Sequence, residues 1–162
     1  MFRRIDDFLK DWRYETEATL KVFRALTDAS LDQKVTPDGR SLGFIAWHIV
    51  TTLPEMGGQA GLKIAEPEKG GGVEGLAAAY QKASAEAASL VEANWTDPML
   101  PEEIPMYGEK WTRGFTLAAL IGHQTHHRGQ ITVLMRQAGL RVPGVYGPSR
   151  EEWSEFGMEP HP

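Results

Sequence analysis

Apolar residues recur at three- and four-residue spacing through four stretches of the chain, and each stretch predicts an amphipathic helix. The first covers residues 5–26, with Ile5, Leu9, Trp12, Thr16, Thr19, Leu20, Phe23 and Leu26 along one face. The second begins after a turn at Thr36 to Arg40, with Ser41 as its N-cap and Leu42, Ile45, Ile49 and Leu53 as its stripe. Pro54 and then Gly57-Gly58 are expected to kink or end it, because proline removes a helical N–H donor and crowds the preceding turn. The third covers residues 73–93, where Val73, Ala77, Tyr80, Ala87 and Val91 form a stripe rich in small side chains, suited to close helix packing. The fourth covers residues 116–138 and stops at Gly139, a residue suited to a left-handed C-terminal cap.

The segments between these stretches carry different signals. Glu66 to Gly72 contains Pro67 and a run of glycines and predicts a flexible connection. Between residues 98 and 114 the period changes to two: Ile104 and Met106 alternate with polar residues, Tyr107 to Lys110 reads as a turn, and Trp111 and Arg113 answer across it. A short hairpin or an ordered loop fits. Arg141 to Pro162 is rich in proline and glycine and predicts irregular backbone, with one short helical turn at residues 149–156. The simplest assembly is all-α, an antiparallel four-helix bundle with one long connection before the last helix. A chain of 162 residues has the size of a single domain, residues 1–162.

Composition narrows the function. Hydrophobic residues make up 41% and charged residues 24%, a soluble globular balance. A formal charge of -5 argues against nucleic-acid binding, which needs a basic surface to displace counterions from phosphates. No apolar run approaches the roughly 18 residues that span a bilayer, and acids interrupt Met1 to Leu20, so the expectation is a cytoplasmic protein without a membrane role. With no cysteine, any metal must sit on His, Asp or Glu.

Three of the five histidines fall in Gly122-His123-Gln124-Thr125-His126-His127-Arg128-Gly129-Gln130, on the fourth helix. With His123 at zero, His127 lies at about +40° and His126 at about -60°, while the apolar residues span about +20° to +160°. His127 therefore lies within the buried arc, His123 at its rim and His126 outside it. Imidazoles at i and i+4 can hold one metal from one face, although an HxxxH pair also arises by chance or as hydrogen-bonded core histidines. His48, in Trp47-His48-Ile49, sits at the rim of the second helix's apolar face, and two rim positions on facing helices can converge.

Other residues take secondary places. Glu55 is about 20° from His48 around the helix but about 10.5 Å along it, which makes it a pocket-mouth or surface carboxylate and the nearest acid for acid–base work. Gln130 falls at about -20° and either orients a water or ligand or is a surface glutamine. Trp47, beside His48, is the tryptophan placed to line a pocket, and the others read as core or interface anchors. Arg128, on the far shoulder of the apolar arc, is expected to pair with an acid on a neighbouring helix. Gly129 is costly in a helix and is expected to admit another backbone, either of a packed helix or of a second subunit. His161, next to Pro162, reads as solvated.

The motif His123-xxx-His127-Arg128-Gly129-Gln130, the upstream Trp47-His48-Ile49 and the ending Leu134-x-Arg136-x-x-Gly139 resemble the DinB/YfiT-like superfamily of four-helix-bundle proteins. They are also similar to the metal-binding part of mycothiol-dependent maleylpyruvate isomerases. The resemblance covers nearly the whole chain. It implies a three-histidine metal site on His48, His123 and His127, open to solvent at one end of the bundle, with a divalent ion such as zinc or nickel. It further implies a homodimer and metal-dependent transfer of a low-molecular-weight thiol to a small-molecule substrate, with hydrolysis by metal-activated water or a non-catalytic binding role as alternatives. His126 falls between the matched positions.

Overall fold

The computed structural model describes residues 1–160, so His161 lies outside the described residues. Four long helices dominate it: α1 (Ile5–Arg24), α2 (Leu42–Gln59), α3 (Gly72–Asn94) and α4 (Arg113–Gln137). α1 buries Ile5, Leu9, Trp12, Thr19, Leu20 and Phe23 of the predicted stripe, together with Phe8, which the stripe omits, while Thr16 is half-buried. Large apolar side chains buried this fully contribute about 1.5–3 kcal/mol each. The Trp12 indole N–H is not stranded in the core, because it donates to the Ser84 carbonyl of α3 at 2.9 Å.

Ser41 caps α2 as expected, its hydroxyl accepting from the Phe44 N–H at 3.1 Å. The expected break at Pro54 and Gly57-Gly58 does not end the helix, which continues to Gln59. Packing outweighs the local penalty: Leu53, Met56 and Gly57 are buried, and a Cβ at Gly57 would meet the Ile64 side chain at 2.6 Å. The glycine is thus where the returning chain crosses the helix, and the cost of Pro54 is offset by tertiary burial. At the start of α3, Asp28 of a short 3₁₀ turn accepts from the Val73 N–H at 2.8 Å and supplies the cap that Gly71 cannot.

A hairpin joins α3 to α4: β1 (Glu103–Met106) pairs antiparallel with β2 (Glu109–Thr112) in the register Ile104↔Trp111 and Met106↔Glu109. The turn is two residues long, not the four from Tyr107 to Lys110 that the sequence pattern picks out. Tyr107 and Gly108 both take positive φ, 52° and 84°, the conformation whose twist suits a tight hairpin. Arg113 does not answer across the hairpin but opens α4, whose first turn is capped by Thr112.

Around the bundle the neighbours run α1, α3, α2, α4 and back to α1. Contacts fix the directions. Phe2 meets Gly114 and Glu15 meets Arg128, so α1 and α4 are parallel, whereas Ile45 lies near Leu134 and His48 near His123, so α2 opposes α4. Consecutive helices α1 and α2 are therefore diagonal, as are α3 and α4. Periodicity predicts the helices but not this order. Residues 140–160 are irregular with a short 3₁₀ turn at Trp153–Phe156, tied by the Glu152 carboxylate, which accepts from the N–H groups of Gly144 and Ser149. Among the described residues, no helix is long and apolar enough to cross a membrane.

Candidate metal centre

The antiparallel contact of α2 and α4 brings His48, His123 and His127 together. One nitrogen of each lies within 4.8 Å of the other two, and His48 Nε2 and His123 Nε2 are 3.1 Å apart. The ring centroids are separated by 4.9, 4.7 and 4.5 Å, and each pair of rings meets edge to face. Zinc–nitrogen bonds of about 2.0–2.1 Å place tetrahedral donors about 3.3 Å apart, so the spacing fits a shared cation. A proton between His48 and His123 satisfies only that pair, whereas a cation satisfies all three nitrogens.

The third imidazole is held by its own helix. His127 Nδ1 is 2.7 Å from Gln130 Oε1, one turn on, so Nδ1–H donates to the amide oxygen and Nε2 is the nitrogen left to offer. Metal-binding histidines commonly carry such a partner, which sets tautomer and ring orientation. Burial, and then the neighbouring imidazoles, hold the His123 pKa down to about 4. His48 is lowered by burial and then by Arg40, and His127 by burial against the opposing pull of Gln130. At neutral pH the three side chains are neutral, the form that donates a lone pair.

The remaining sequence candidates are distributed around this centre. Gln130 touches His127, as above. Glu55 is exposed and outside the histidine group, and it accepts a hydrogen bond from the Tyr107 hydroxyl of the hairpin at 3.3 Å. Trp47 is half-buried and packs against the core, and its carbonyl accepts from Thr51 Oγ1. His126 stands outside the group, exposed, with its ring 4.8 Å from that of His127. Arg128 finds the acid expected of it: Nη2 donates to Glu15 Oε2 of α1 at 2.6 Å. Gly129 faces open space within this chain, where a Cβ would find nothing within 4 Å, so no packed helix accounts for it.

Two neighbours of the centre lie outside the apolar stripes of the sequence. Phe44 stacks on His48 at 6.4 Å with 18° between the planes, and the Arg40 guanidinium sits 5.1 Å from the Phe44 ring centre. Arg40, Phe44 and His48 are spaced by four, a signal that apolar periodicity passes over because Phe44 is exposed. Tyr107 has no such signal, since only the hairpin fold carries it to Glu55.

Comparison with known proteins agrees over almost the whole chain. The family model described as DinB family matches residues 1–160. An uncharacterized protein of Bacillus subtilis, YrdA, is 44% identical over 163 residues, covering 98% of both chains. The crystal structure of a DinB-like protein from Bacillus cereus superposes with a TM-score of 0.85 at 42% identity, covering 90% of this chain and 100% of the other. A second DinB-like structure, YjoA of Bacillus subtilis, shares the fold at 18% identity, with a TM-score of 0.69 and coverage of 86% and 97%.

Proposed function

Because the chain belongs to the DinB family, we propose that it is a metal-dependent enzyme that transfers a low-molecular-weight thiol to a small electrophilic substrate. The observation that carries this reading is the convergence of three neutral imidazole nitrogens from two helices. A divalent ion held there, zinc or nickel, supplies a Lewis acid that promotes loss of the proton from a coordinated thiol or water. Three protein ligands leave coordination positions open, the pattern of catalytic sites.

The chain's own residues divide the work. His48, His123 and His127 are the ligands. Gln130 holds His127 in the tautomer that presents Nε2, and Phe44 braces the His48 ring. Glu55 and Tyr107 form a polar mouth with Trp47 on the flank of α2. In the transfer, the thiol gives its proton to solvent water and a carbon–sulfur bond forms; at an aryl halide the carbon–halogen bond breaks and halide leaves with the electron pair, and at an enone the double-bond pair shifts to the carbonyl and takes up a proton. Thiol chemistry is favoured over hydrolysis because, among the described residues, no carboxylate joins the histidine group to serve as a general base for water. The reading includes a cytoplasmic homodimer, supported by the open space over Gly122 and Gly129 on α4.

Elemental analysis of the purified protein and titration with zinc and nickel test the centre. Loss of free thiol in a panel of small thiols with aryl halide and enone acceptors tests the reaction. One metal per chain and metal-dependent thiol consumption are expected. Absence of any bound or titratable metal overturns the proposal.

A further inference from the structure

Beside the histidines, on the side of the α2 N-terminus, lies an open cleft of about 490 Å³ lined by Val35, Arg40, Ile45, Gln130, Val133 and Leu134. Its size is that of a small-molecule site. Two features set it apart from ordinary surface. Val35 and Val133 leave 64% and 55% of their surface exposed at the cleft, over a floor made by buried Ile45 and Leu134. Arg40 is the cation of this apolar surround, and its guanidinium has no acidic partner among the described residues, only the face of Phe44.

We propose that this cleft binds a small apolar monocarboxylate, with the carboxylate on Arg40 and the apolar body between Val35, Ile45, Val133 and Leu134. The guanidinium fork matches a carboxylate's two oxygens and carries the opposite charge. The α2 dipole, positive at the end where Arg40 precedes the cap, favours the same sign of charge. Gln130 belongs to both places: it lines the cleft and its Oε1 holds His127, so a molecule in the cleft lies one side chain from His127. The inference rests on the metal reading for its role as the electrophile's anchoring site, and on Arg40 and the apolar walls for binding itself. It adds to that reading a substrate class: electrophiles carrying a carboxylate on an apolar frame.

Phenylacetate and phenylacetamide are the probes, titrated by calorimetry or chemical-shift perturbation into the full-length protein with and without zinc. The acid is expected to bind about tenfold more tightly than the amide in both forms, the gain from one partly exposed charge-assisted contact. In Arg40→Met the ratio falls to about one, and in Arg40→Lys part of it survives, since charge remains without the fork. Equal binding of acid and amide, or an undiminished ratio in Arg40→Met, overturns the proposal. A preference that appears only with zinc and vanishes in His48→Ala, while Arg40→Met keeps it, assigns the carboxylate to the metal; that overturns the cleft proposal and leaves the metal reading intact. An Arg40-dependent preference in a protein that binds no zinc supports the cleft and overturns the metal reading alone.

Discussion

His127 and Arg128 are consecutive on α4, and they face polar sites of opposite kind. On the α1 side, Arg128 Nη2 donates to Glu15 Oε2 at 2.6 Å and to the Tyr146 hydroxyl at 2.7 Å, while Nη1 donates to Thr19 Oγ1 at 3.0 Å and the Glu15 carbonyl at 3.2 Å. Tyr146 in turn donates to Glu15 Oε1 at 2.7 Å. Nearby, burial pushes the Tyr80 hydroxyl up to about 12, and it donates to Gln124 Oε1. Gln124 Nε2 is buried there without a hydrogen-bond partner, whereas the buried Arg128 and Glu15 side chains satisfy each other. On the α2 side, three ring nitrogens crowd together, and a proton shared by His48 Nε2 and His123 Nε2 matches that pair and leaves the His127 nitrogen without a donor. A charge surrounded by its complements holds helices in place, whereas lone pairs aimed at one another await something to share. The difference separates structure from chemistry more sharply than burial does, since His127 and Arg128 are both buried.

The largest effect expected is on the closed side. Glu15→Ala leaves the Arg128 guanidinium buried without its carboxylate and should cost about 3–5 kcal/mol in denaturant unfolding, with metal stoichiometry unchanged in the folded fraction. Replacing both partners, Glu15→Met with Arg128→Met, should recover most of that loss; a double variant as weak as the single would mean the pair does more than satisfy itself.

On the open side the effects move to affinity. His48→Ala should lower zinc affinity by more than about 100-fold, beyond the range of an outer partner, while metal-free stability changes by less than about 1 kcal/mol. If it unfolds the protein instead, the two sites are not different in kind. Gln130→Leu should weaken zinc by about tenfold by freeing the His127 ring, with the metal-free melting point nearly unmoved.

A separate effect is on acid stability. The folded pKa of His123, about 4, lies below its ordinary 6.5, so the unfolded chain binds the proton more readily. Its stabilising share is complete above pH 6.5 and is lost as the pH falls toward 4. His123→Gln should flatten the metal-free stability profile across that window; an unchanged slope would place the proton uptake elsewhere.

Much of the fold is legible as pattern. The stripes on α1 and α3, the Ser41 cap and the Gly139 stop follow from spacing and local geometry. What local rules miss is set by contacts distant in sequence: α2 continues past Pro54 and Gly57 with Leu62 and Ile64 packed over Gly57, and the neighbour order of the helices has no local signature. At the site, helical angles separate His126 from His123 and His127, because orientation about one axis is a property of sequence. The partnership of Arg128 with Glu15 is legible only as a need for some acid, and the reach of Tyr107 to Glu55 depends on a hairpin turn.

The diagonal placement of consecutive helices has a mechanical consequence. A cation gripping α2 and α4 fastens the two ends of a loop that includes all of α3 and the hairpin. A cation there would act as a clasp on the chain as well as a reagent. At a free concentration a thousand times its dissociation constant, a ligand confined to the native state adds about 4 kcal/mol, so loss of such a metal would also loosen the bundle. Because the clasp closes between helices far apart in sequence, unfolding must open it, and a slower unfolding rate with metal bound is its kinetic signature.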